Sequence, residues 1–172
     1  MLPLEQIISR ARKVRLLLID CDGVLTDGSL YLTAIGDEVH EATKVFNIHD
    51  GHGLRLAREA GLQLGVISGR KSAALAARAA ELQIPYLHQG VADKLEVYEL
   101  IKQLEGLSNE EIAYIGDDLP DLAALSRAGL AMAVPDAVDE IREIAHFITT
   151  KSGGRGAVRE AIELILKAQG KW

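Results

Sequence analysis

The chain of 172 residues is poor in the features that mark secreted, membrane-embedded and nucleic-acid-binding proteins. Its single cysteine cannot form an internal disulfide, which indicates a reducing compartment, and we expect the protein in the cytoplasm. No apolar run approaches the roughly 18 residues that a membrane helix needs. Residues 1–13 lack the apolar core of a signal peptide. We therefore expect no membrane partner.

Aromatic and basic residues are also scarce. Phe, Trp and Tyr make up 4% of the chain, too few for a platform on which single-stranded nucleic acid could stack. The 19 lysines and arginines are outnumbered by 25 aspartates and glutamates, and the resulting net charge of −6 repels a phosphate backbone. We therefore expect no nucleic-acid partner.

The sequence does contain a regular alternation of apolar strand patterns and helical patterns. Strands are predicted at residues 14–19, 64–67, 84–87, 112–115, 130–134 and 146–149. Helices are predicted within residues 1–13 and at residues 54–60, 72–82, 92–104, 119–127, 139–145 and 157–168. This alternation predicts an α/β fold, with a Rossmann-like, doubly wound, mostly parallel sheet and right-handed crossovers.

One predicted β-hairpin interrupts the alternation. Residues 29–33 and 39–46 are expected to pair through a loop of several residues around Ile35-Gly36-Asp37, and to protrude from the sheet. The chain has no repeat, linker or low-complexity segment. We therefore predict a single domain over residues 1–172, with a C-terminal tail at about 151–172 that opens with a glycine-rich loop.

The motif Asp20-Cys21-Asp22-Gly23-Val24-Leu25-Thr26 follows the first predicted strand. Asp20 and Asp22 would share a face if the extended geometry held through Asp22, with Cys21 pointing away as a small buried hydrophobe. Two carboxylates that lie so close together repel each other and resist joint ionisation, which indicates a bound metal or a proton passed between them. The alternative is a pair of solvated turn carboxylates, because Asp is common in turns.

Polar residues follow other predicted strands as well. Ser68-Gly69 follows the strand at 64–67, Asp117-Asp118 follows the strand at 112–115, and Lys94 begins a helix. Because the carboxyl ends of parallel strands meet at one edge of a sheet, these groups are expected to share a pocket. Carboxylates without a His or Cys cluster suit Mg²⁺, and a serine with a lysine suits phosphate. A carboxylate can attack phosphorus while a second carboxyl moves protons.

In this order, the patterns Asp-x-Asp-Gly-x-x-Thr, Ser-Gly, Lys and Gly-Asp-Asp-x-x-Asp resemble the motifs of the haloacid dehalogenase-like phosphohydrolases. The resemblance covers nearly the whole chain. It implies that Asp20 is the nucleophile and Asp22 the general acid/base. It also implies that Ser68 and Lys94 hold the phosphate, and that Lys94 steadies Asp20.

The same resemblance implies a Mg²⁺ site. Its ligands would be Asp20, the backbone carbonyl of Asp22, and Asp117, with Asp118 and Asp121 as outer partners that do not touch the metal. Asp121 could instead be a first-turn carboxylate that is favoured by the helix dipole.

The spacing of the motifs leaves no room for a cap domain. Asp22 to Ser68 spans only the hairpin and one helix, and Ser68 to Lys94 spans one helix and one strand. A site without a cap is open to water, which is poor for controlled phosphate transfer. In the capless subclass that the chain resembles, tetramers form, the hairpins of four subunits build a shared barrel, and a neighbour closes each site. The resemblance therefore implies a homotetramer.

Finer motifs, at residues 20–28, 45–51, 68–72 and 153–160, are similar to the 3-deoxy-D-manno-octulosonate 8-phosphate phosphatases. That family releases phosphate from an acidic eight-carbon sugar phosphate in lipopolysaccharide precursor synthesis. The similarity implies substrate contacts at Asp22, Val45, Phe46, Asn47, Ile48, His49, Ser68, Gly69, Arg70, Arg78 and Lys94. Arginine suits the substrate carboxylate because guanidinium binds it in a bidentate way. It also implies that residues 153–159 reach a neighbouring subunit's site.

Two other functions and two plainer interpretations remain open. A nonulosonate 9-phosphate phosphatase is a close rival, although Arg70 and Arg155 favour the octulosonate. A receiver-type signalling module also forms an aspartyl-phosphate, but its acceptor follows the third strand. Arg78 could be a solvated residue on a helix face, and residues 152–156 could be a plain flexible loop.

Overall fold

In the computed structural model, which describes residues 2–172 except for the side chains of residues 35 and 39–42, the chain forms a six-stranded sheet and a separate two-stranded hairpin. The strands are β1 Leu16–Ile19, β2 Tyr31–Ile35, β3 Glu38–Thr43, β4 Gln63–Ser68, β5 Tyr86–Gln89, β6 Ile112–Gly116, β7 Leu130–Ala133 and β8 Phe147–Ile148. The helices are α1 Leu4–Ala11, α2 Ile48–Glu59, α3 Ala73–Glu81, α4 Lys94–Glu105, α5 Leu122–Arg127, α6 Asp139–Ile144 and α7 Ala157–Ala168.

The sheet is parallel throughout and has the strand order β5-β4-β1-β6-β7-β8. Strand β1 lies in its middle, where Ile19 is level with Val66 of β4 and with Ile115 of β6. All four residues of β1 are fully buried, as expected of a central parallel strand. The order of the strands reverses beside β1, and open α/β sheets bind ligands at such a point. The predicted doubly wound α/β fold is confirmed.

Two groups of helices accompany the sheet. Helices α1 and α2 each contact α7, and helices α4 and α6 each contact α5. Only the hairpin and α2 stand between the motif after β1 and strand β4, and only α3 and β5 stand between β4 and α4. Within residues 2–172, no helix is long and apolar enough to cross a membrane.

Helix α2 begins six residues before the predicted start at residue 54. The Asn47 side chain caps it by accepting hydrogen bonds from the backbone N–H groups of His49 and Asp50, at 2.8 and 3.4 Å. Gly51 and Gly53 suggested a loop, but both lie within the helix. The Arg78 side chain packs against Gly51, and Arg159 packs against Gly53. A Cβ at Gly51 would lie 2.0 Å from Nη2 of Arg78.

Two further boundaries differ from prediction. Strand β2 ends at Ile35 and β3 begins at Glu38, so the hairpin loop is Gly36-Asp37 alone rather than several residues. Gly36 has φ +63°, a left-handed conformation that glycine adopts without strain. The predicted helix at 119–127 is divided into a 3₁₀ turn, Leu119–Asp121, and helix α5.

Candidate active site

The loop of residues 20–27, here called the motif loop, enters a short helical segment, Cys21–Leu25, in which only Asp22 and Gly23 are non-helical. The continuous extended geometry from which a shared face for Asp20 and Asp22 was predicted therefore does not hold. The backbone N–H of Asp20 still bonds to Ile115 of β6, at 3.0 Å, and both Asp20 and Asp22 are extended. Gly23 then turns the chain at φ +94°. Cys21 is fully buried. The two carboxylates have different partners, however, because Asp20 binds Lys94 and Asp22 binds Lys44.

Lys94 joins two buried carboxylates. Its Nζ lies 2.5 Å from Oδ1 of Asp20 and 2.7 Å from Oδ1 of Asp121. The lysine is the first residue of α4, where the Asp93 side chain caps the helix. Burial acts to lower the pKa of Lys94, but attraction to Asp20 and Asp121 outweighs it, and the pKa is raised. Lys94 is therefore a fixed cation.

Asp20, Asp117 and Asp121 form an acidic cluster, in which one ligand atom of each lies within 4.8 Å of the others. Burial, and then the charge of Asp121, raises the pKa of Asp20 well above its usual value. The same two causes raise the pKa of Asp117 to about 6. A Cβ at Gly23 would lie 2.0 Å from Oδ2 of Asp117, so only glycine lets this carboxylate reach the motif loop. Carboxylates gathered in this way suit a divalent cation.

Both oxygens of Asp121 are occupied by hydrogen-bond donors. Oδ1 accepts from Lys94 and from the Tyr114 hydroxyl, the latter at 2.7 Å. Oδ2 accepts from the backbone N–H groups of Asp117 and Asp118, at 3.2 and 3.4 Å. Asp121 does lie in the first turn of the 3₁₀ segment before α5, but it is fully buried and also binds groups outside that turn. It anchors Lys94 and the turn that presents Asp117.

The Asp118 carboxylate serves the local turn. It accepts a hydrogen bond from the backbone N–H of Leu119, at 2.7 Å, and so caps the 3₁₀ turn. The acidic cluster contains Asp20, Asp117 and Asp121 but not Asp118.

Ser68 is the buried last residue of β4, which contacts the motif loop. Its Oγ accepts a hydrogen bond from the backbone N–H of Arg70, at 3.2 Å, and donates one to the Arg70 carbonyl oxygen, at 3.1 Å. Ser68 therefore shapes the turn that contains Gly69, while Arg70 is exposed.

The predicted substrate segment, residues 45–49, is mostly on the surface. Val45, Ile48 and His49 are exposed, and Phe46 and Asn47 are half-buried. Arg78 binds Glu81 at 2.8 Å and lines a groove of about 290 Å³ together with Arg55 and Arg58. Among the described residues that line this groove, none belongs to the acidic cluster.

Residues 153–156, here called the glycine loop, lie on the chain's own motif loop. The Gly154 N–H bonds to the Val24 carbonyl at 2.9 Å, and Arg155 binds Asp27 at 3.1 Å. A Cβ at Gly153 would lie 1.8 Å from the Gly23 oxygen. Residues 153–155 thus contact the motif loop of the same chain, because the glycines allow two backbones to touch. The expected contact of residues 153–159 with a neighbouring subunit stays a prediction.

Sequence reasoning missed two buried charges. Lys44 forms an ion pair with Asp22, although a lysine after a hairpin is ordinarily solvated. Asp50 accepts hydrogen bonds from the backbone N–H groups of Gly156 and Arg159, at 3.2 and 2.7 Å, and so caps α7 from α2. The one signal in the sequence for a role of Asp50 was its position in the motif at residues 45–51.

Comparison with known proteins indicates the family of the chain. A family model described as haloacid dehalogenase-like hydrolase matches residues 87–162. The chain is 43% identical to the 3-deoxy-D-manno-octulosonate 8-phosphate phosphatase KdsC of Yersinia pestis, over 97% of this chain and 87% of that protein. It is 40% identical to KdsC of Escherichia coli strain K12, over 96% and 86%.

Solved structures resemble the whole chain. The Moraxella catarrhalis 3-deoxy-D-manno-octulosonate 8-phosphate phosphatase, a complex with magnesium, phosphate and KDO, has a TM-score of 0.92 and 41% identity, and the alignment covers 98% of this chain and 94% of that one. The Yersinia pestis enzyme has the same TM-score and identity over 97% and 88%. The chain belongs to the 3-deoxy-D-manno-octulosonate 8-phosphate phosphatase family of haloacid dehalogenase-like hydrolases.

Proposed function

We propose that this protein hydrolyses 3-deoxy-D-manno-octulosonate 8-phosphate to the free sugar acid and phosphate, in lipopolysaccharide precursor synthesis. The observation that supports this most is the buried Lys94–Asp20 pair beside Asp117, at the carboxyl end of the central strand. It stands in a chain about 40% identical to phosphatases named for this substrate. The receiver-type alternative has no such support, since Asp20 follows the first strand.

Mg²⁺ is the proposed cofactor. Asp20, Asp117 and the backbone carbonyl of Asp22 would hold it, and the donor set fits because it consists of hard oxygens. Burial, and then the charge of Asp121, raises the pKa values of Asp20 and Asp117, and a bound cation would favour their ionised forms. When bound, Mg²⁺ would offset negative charge on the phosphoryl group. Asp121, with both oxygens already occupied, would orient the site without touching the metal.

The reaction proposed for these residues has two halves. In the first, an Asp20 oxygen attacks phosphorus, the bond from phosphorus to the sugar oxygen breaks, and Asp22 donates a proton to that oxygen. In the second, Asp22 takes a proton from water, whose oxygen displaces Asp20 from phosphorus. Lys94 orients Asp20 and offsets phosphoryl charge throughout.

Substrate binding is proposed at the same edge of the sheet. Ser68 and the Gly69 backbone would bind phosphate together with Lys94, since the turn that contains them is preorganised by two hydrogen bonds. Arg70, Arg78 and the segment 45–49 would contact the sugar acid. The exposure of Arg70 and of most of that segment is consistent with an open site.

The test is phosphate release from a panel of sugar phosphates with Mg²⁺. We expect turnover of the octulosonate 8-phosphate to exceed that of nonulosonate 9-phosphates and hexose phosphates. Asp20→Asn should abolish turnover, because it removes the attacking carboxylate. Faster turnover of a nonulosonate 9-phosphate would instead support the rival substrate, and full activity in Asp20→Asn would refute the mechanism.

We also propose that the chain acts as one domain, in the cytoplasm, as a homotetramer. The hairpin supports the last point, because Leu30, Tyr31 and Leu32 expose apolar side chains on an element that pairs only with itself among residues 2–172. The proposed occupant of that surface is the hairpin of another copy.

A further inference from the structure

Lys44 is a buried lysine in an otherwise exposed stretch. It follows β3 directly, and its neighbours Thr43 and Val45 are exposed, whereas its own side chain is only 3% exposed. Its Nζ forms an ion pair with Oδ1 of Asp22. An ammonium group is not buried without compensation, so this contact determines where the chain enters the site from the hairpin.

Two buried lysines from other parts of the chain therefore contact the motif loop, and each pairs with one of the two carboxylates that are proposed to be catalytic. Lys94 reaches Asp20 from α4, and Lys44 reaches Asp22 from the end of the hairpin. The role proposed for Lys94 includes the phosphate. Lys44 is almost fully buried and its ammonium group pairs with Asp22, which indicates a different role that acts through that carboxylate.

We propose that Lys44 is a positioning residue for Asp22. The inference rests on the function proposed above, in which Asp22 gives a proton to the sugar oxygen as the phosphorus–oxygen bond breaks and then takes one from the attacking water. With Oδ1 held by the ammonium group, proton transfer falls to Oδ2. A carboxyl group that is free to rotate would present the proton less often in the required geometry. Because Lys44 adjoins β3, the placement of the hairpin is linked to that geometry.

A double-mutant cycle tests whether Lys44 acts through Asp22. The variants are Lys44→Met, Asp22→Asn and the double variant, assayed with Mg²⁺ on the octulosonate 8-phosphate. We expect Lys44→Met to lower kcat on the order of 10-fold or more with KM within about threefold, since general acid–base catalysis is worth about 10²–10⁴-fold. In the Asp22→Asn background the same change should lower kcat less than about twofold. Equal losses in both backgrounds would overturn the proposal.

A change of leaving group supplies a second test. Acetyl phosphate releases acetate, which needs no proton, so in single-turnover measurements Lys44→Met should slow the release of acetate, which precedes the water step, far less than the release of the sugar acid. Equal slowing of both would indicate a structural role and overturn the proposal. If wild type turns over acetyl phosphate but not the octulosonate, the proposed substrate fails. The cycle is then run on whichever sugar phosphate of the panel is turned over, and equal losses there still overturn the role of Lys44.

Two further variants guard against a folding defect. Lys44→Arg keeps the cation and should retain more kcat than Lys44→Met, whereas equal kcat in both, with wild-type melting temperatures, would contradict the proposal. Lys13→Met removes an exposed lysine that binds Glu110 at 2.7 Å, and we expect wild-type kinetics from it. If Lys44→Met does not fold, the cycle is repeated with Lys44→Gln, which also removes the cation, and equal losses of kcat with and without the Asp22 carboxylate would overturn the proposal.

Discussion

Lys94 compensates the charge of the acidic cluster through two buried ion pairs, to Asp20 and to Asp121. Without it, three carboxylates would share a buried space with no cation from the chain at their centre. Removing one partner of a buried pair leaves an uncompensated charge, which is far more unfavourable than losing an exposed pair. The site residues therefore bear on stability as well as on chemistry.

The first prediction concerns Lys94→Met. We expect it to lower the free energy of unfolding by about 3–5 kcal/mol and to abolish turnover, because Asp20 and Asp121 lose their shared partner. Lys13→Met, which breaks an exposed pair, should lower the free energy of unfolding far less. Urea denaturation without Mg²⁺ measures both. If both variants lose the same free energy of unfolding, the buried ion pairs of Lys94 stabilise the fold no more than the exposed pair of Lys13.

The second prediction separates Asp117 from its neighbour Asp118. Mg²⁺ should raise the melting temperature of wild type, because it binds the folded state. Asp117→Asn should lose both this increase and turnover, since it removes a proposed ligand. Asp118→Asn should keep the increase, because Asn still caps the turn at Leu119. Loss of the increase in Asp118→Asn alone would contradict the proposed ligand set.

The third prediction concerns the pH dependence of stability at His146. Burial, and then the charge of Arg10, lowers the pKa of His146, whose Nδ1 accepts a hydrogen bond from the Ala131 N–H at 3.0 Å. The folded state therefore favours the neutral ring, and its contribution is complete above about pH 6.5 and is lost as the pH falls below that value.

The measurement for His146 is thermal unfolding between about pH 7.5 and about pH 5, in wild type and in His146→Asn. Asn offers an acceptor to Ala131 but does not titrate, so the melting temperature of the variant should fall less on acidification. An identical fall in both proteins would show that His146 is not linked to stability.

At the scale of elements, the glycine loop and the start of α7 connect the motif loop to α2. Asp50 caps α7, Asn47 caps α2 and also donates to the Gly154 carbonyl oxygen at 3.4 Å, and Gly154 bonds to Val24. Segments far apart in the sequence thus meet at the motif loop. This explains why a loop rich in glycine is ordered here.

The fourth prediction tests this connection. Asp50→Ala should lower the free energy of unfolding by about 1–3 kcal/mol, because two buried backbone N–H groups at the start of α7 lose their acceptor. Asp50→Asn keeps one acceptor oxygen and should lose less. Urea denaturation compares them. If Asp50→Ala and Asp50→Asn both have the wild-type free energy of unfolding, Asp50 does not stabilise the start of α7.

At the scale of the whole molecule, the hairpin exposes three consecutive apolar side chains. Leu30, Tyr31 and Leu32 are 49%, 48% and 59% exposed. Burying a side chain of this size is worth about 1.5–3 kcal/mol, and a closed oligomer repeats that gain in every copy. Association through the hairpin would also hold Lys44 in position, because Lys44 directly follows strand β3.

The fifth prediction is that wild type has a mass of about four chains of 18.6 kDa in solution. The double variant Tyr31→Ser, Leu32→Ser should dissociate and lose turnover, because the hairpin no longer buries apolar area. Leu104→Ser, which changes an exposed leucine on α4, should leave the mass unchanged. Analytical ultracentrifugation measures the masses. A monomeric wild type, or a tetrameric double variant, would contradict the proposal.

Sequence patterns determined the α/β class, most element positions and the order of the motifs, because periodicity and turn residues are local properties. Helix α7 was predicted at its observed bounds, since its apolar spacing is regular and glycine precedes it. Strand β5 lies at the sheet edge, where Pro85 before it removes no ladder hydrogen bond. The motifs alone also pointed to phosphate and Mg²⁺.

The tertiary structure alone decided which charges meet. Lys44 and Asp22 are 22 residues apart, and Asp50 and Gly156 are 106 apart, so no local pattern connects them. The start of α2 and the course of the glycine loop were likewise decided by neighbours, since Gly51 accommodates Arg78 and Gly153 accommodates Gly23. Burial makes these contacts specific, because a charge or backbone group removed from water must find a partner wherever the fold supplies one.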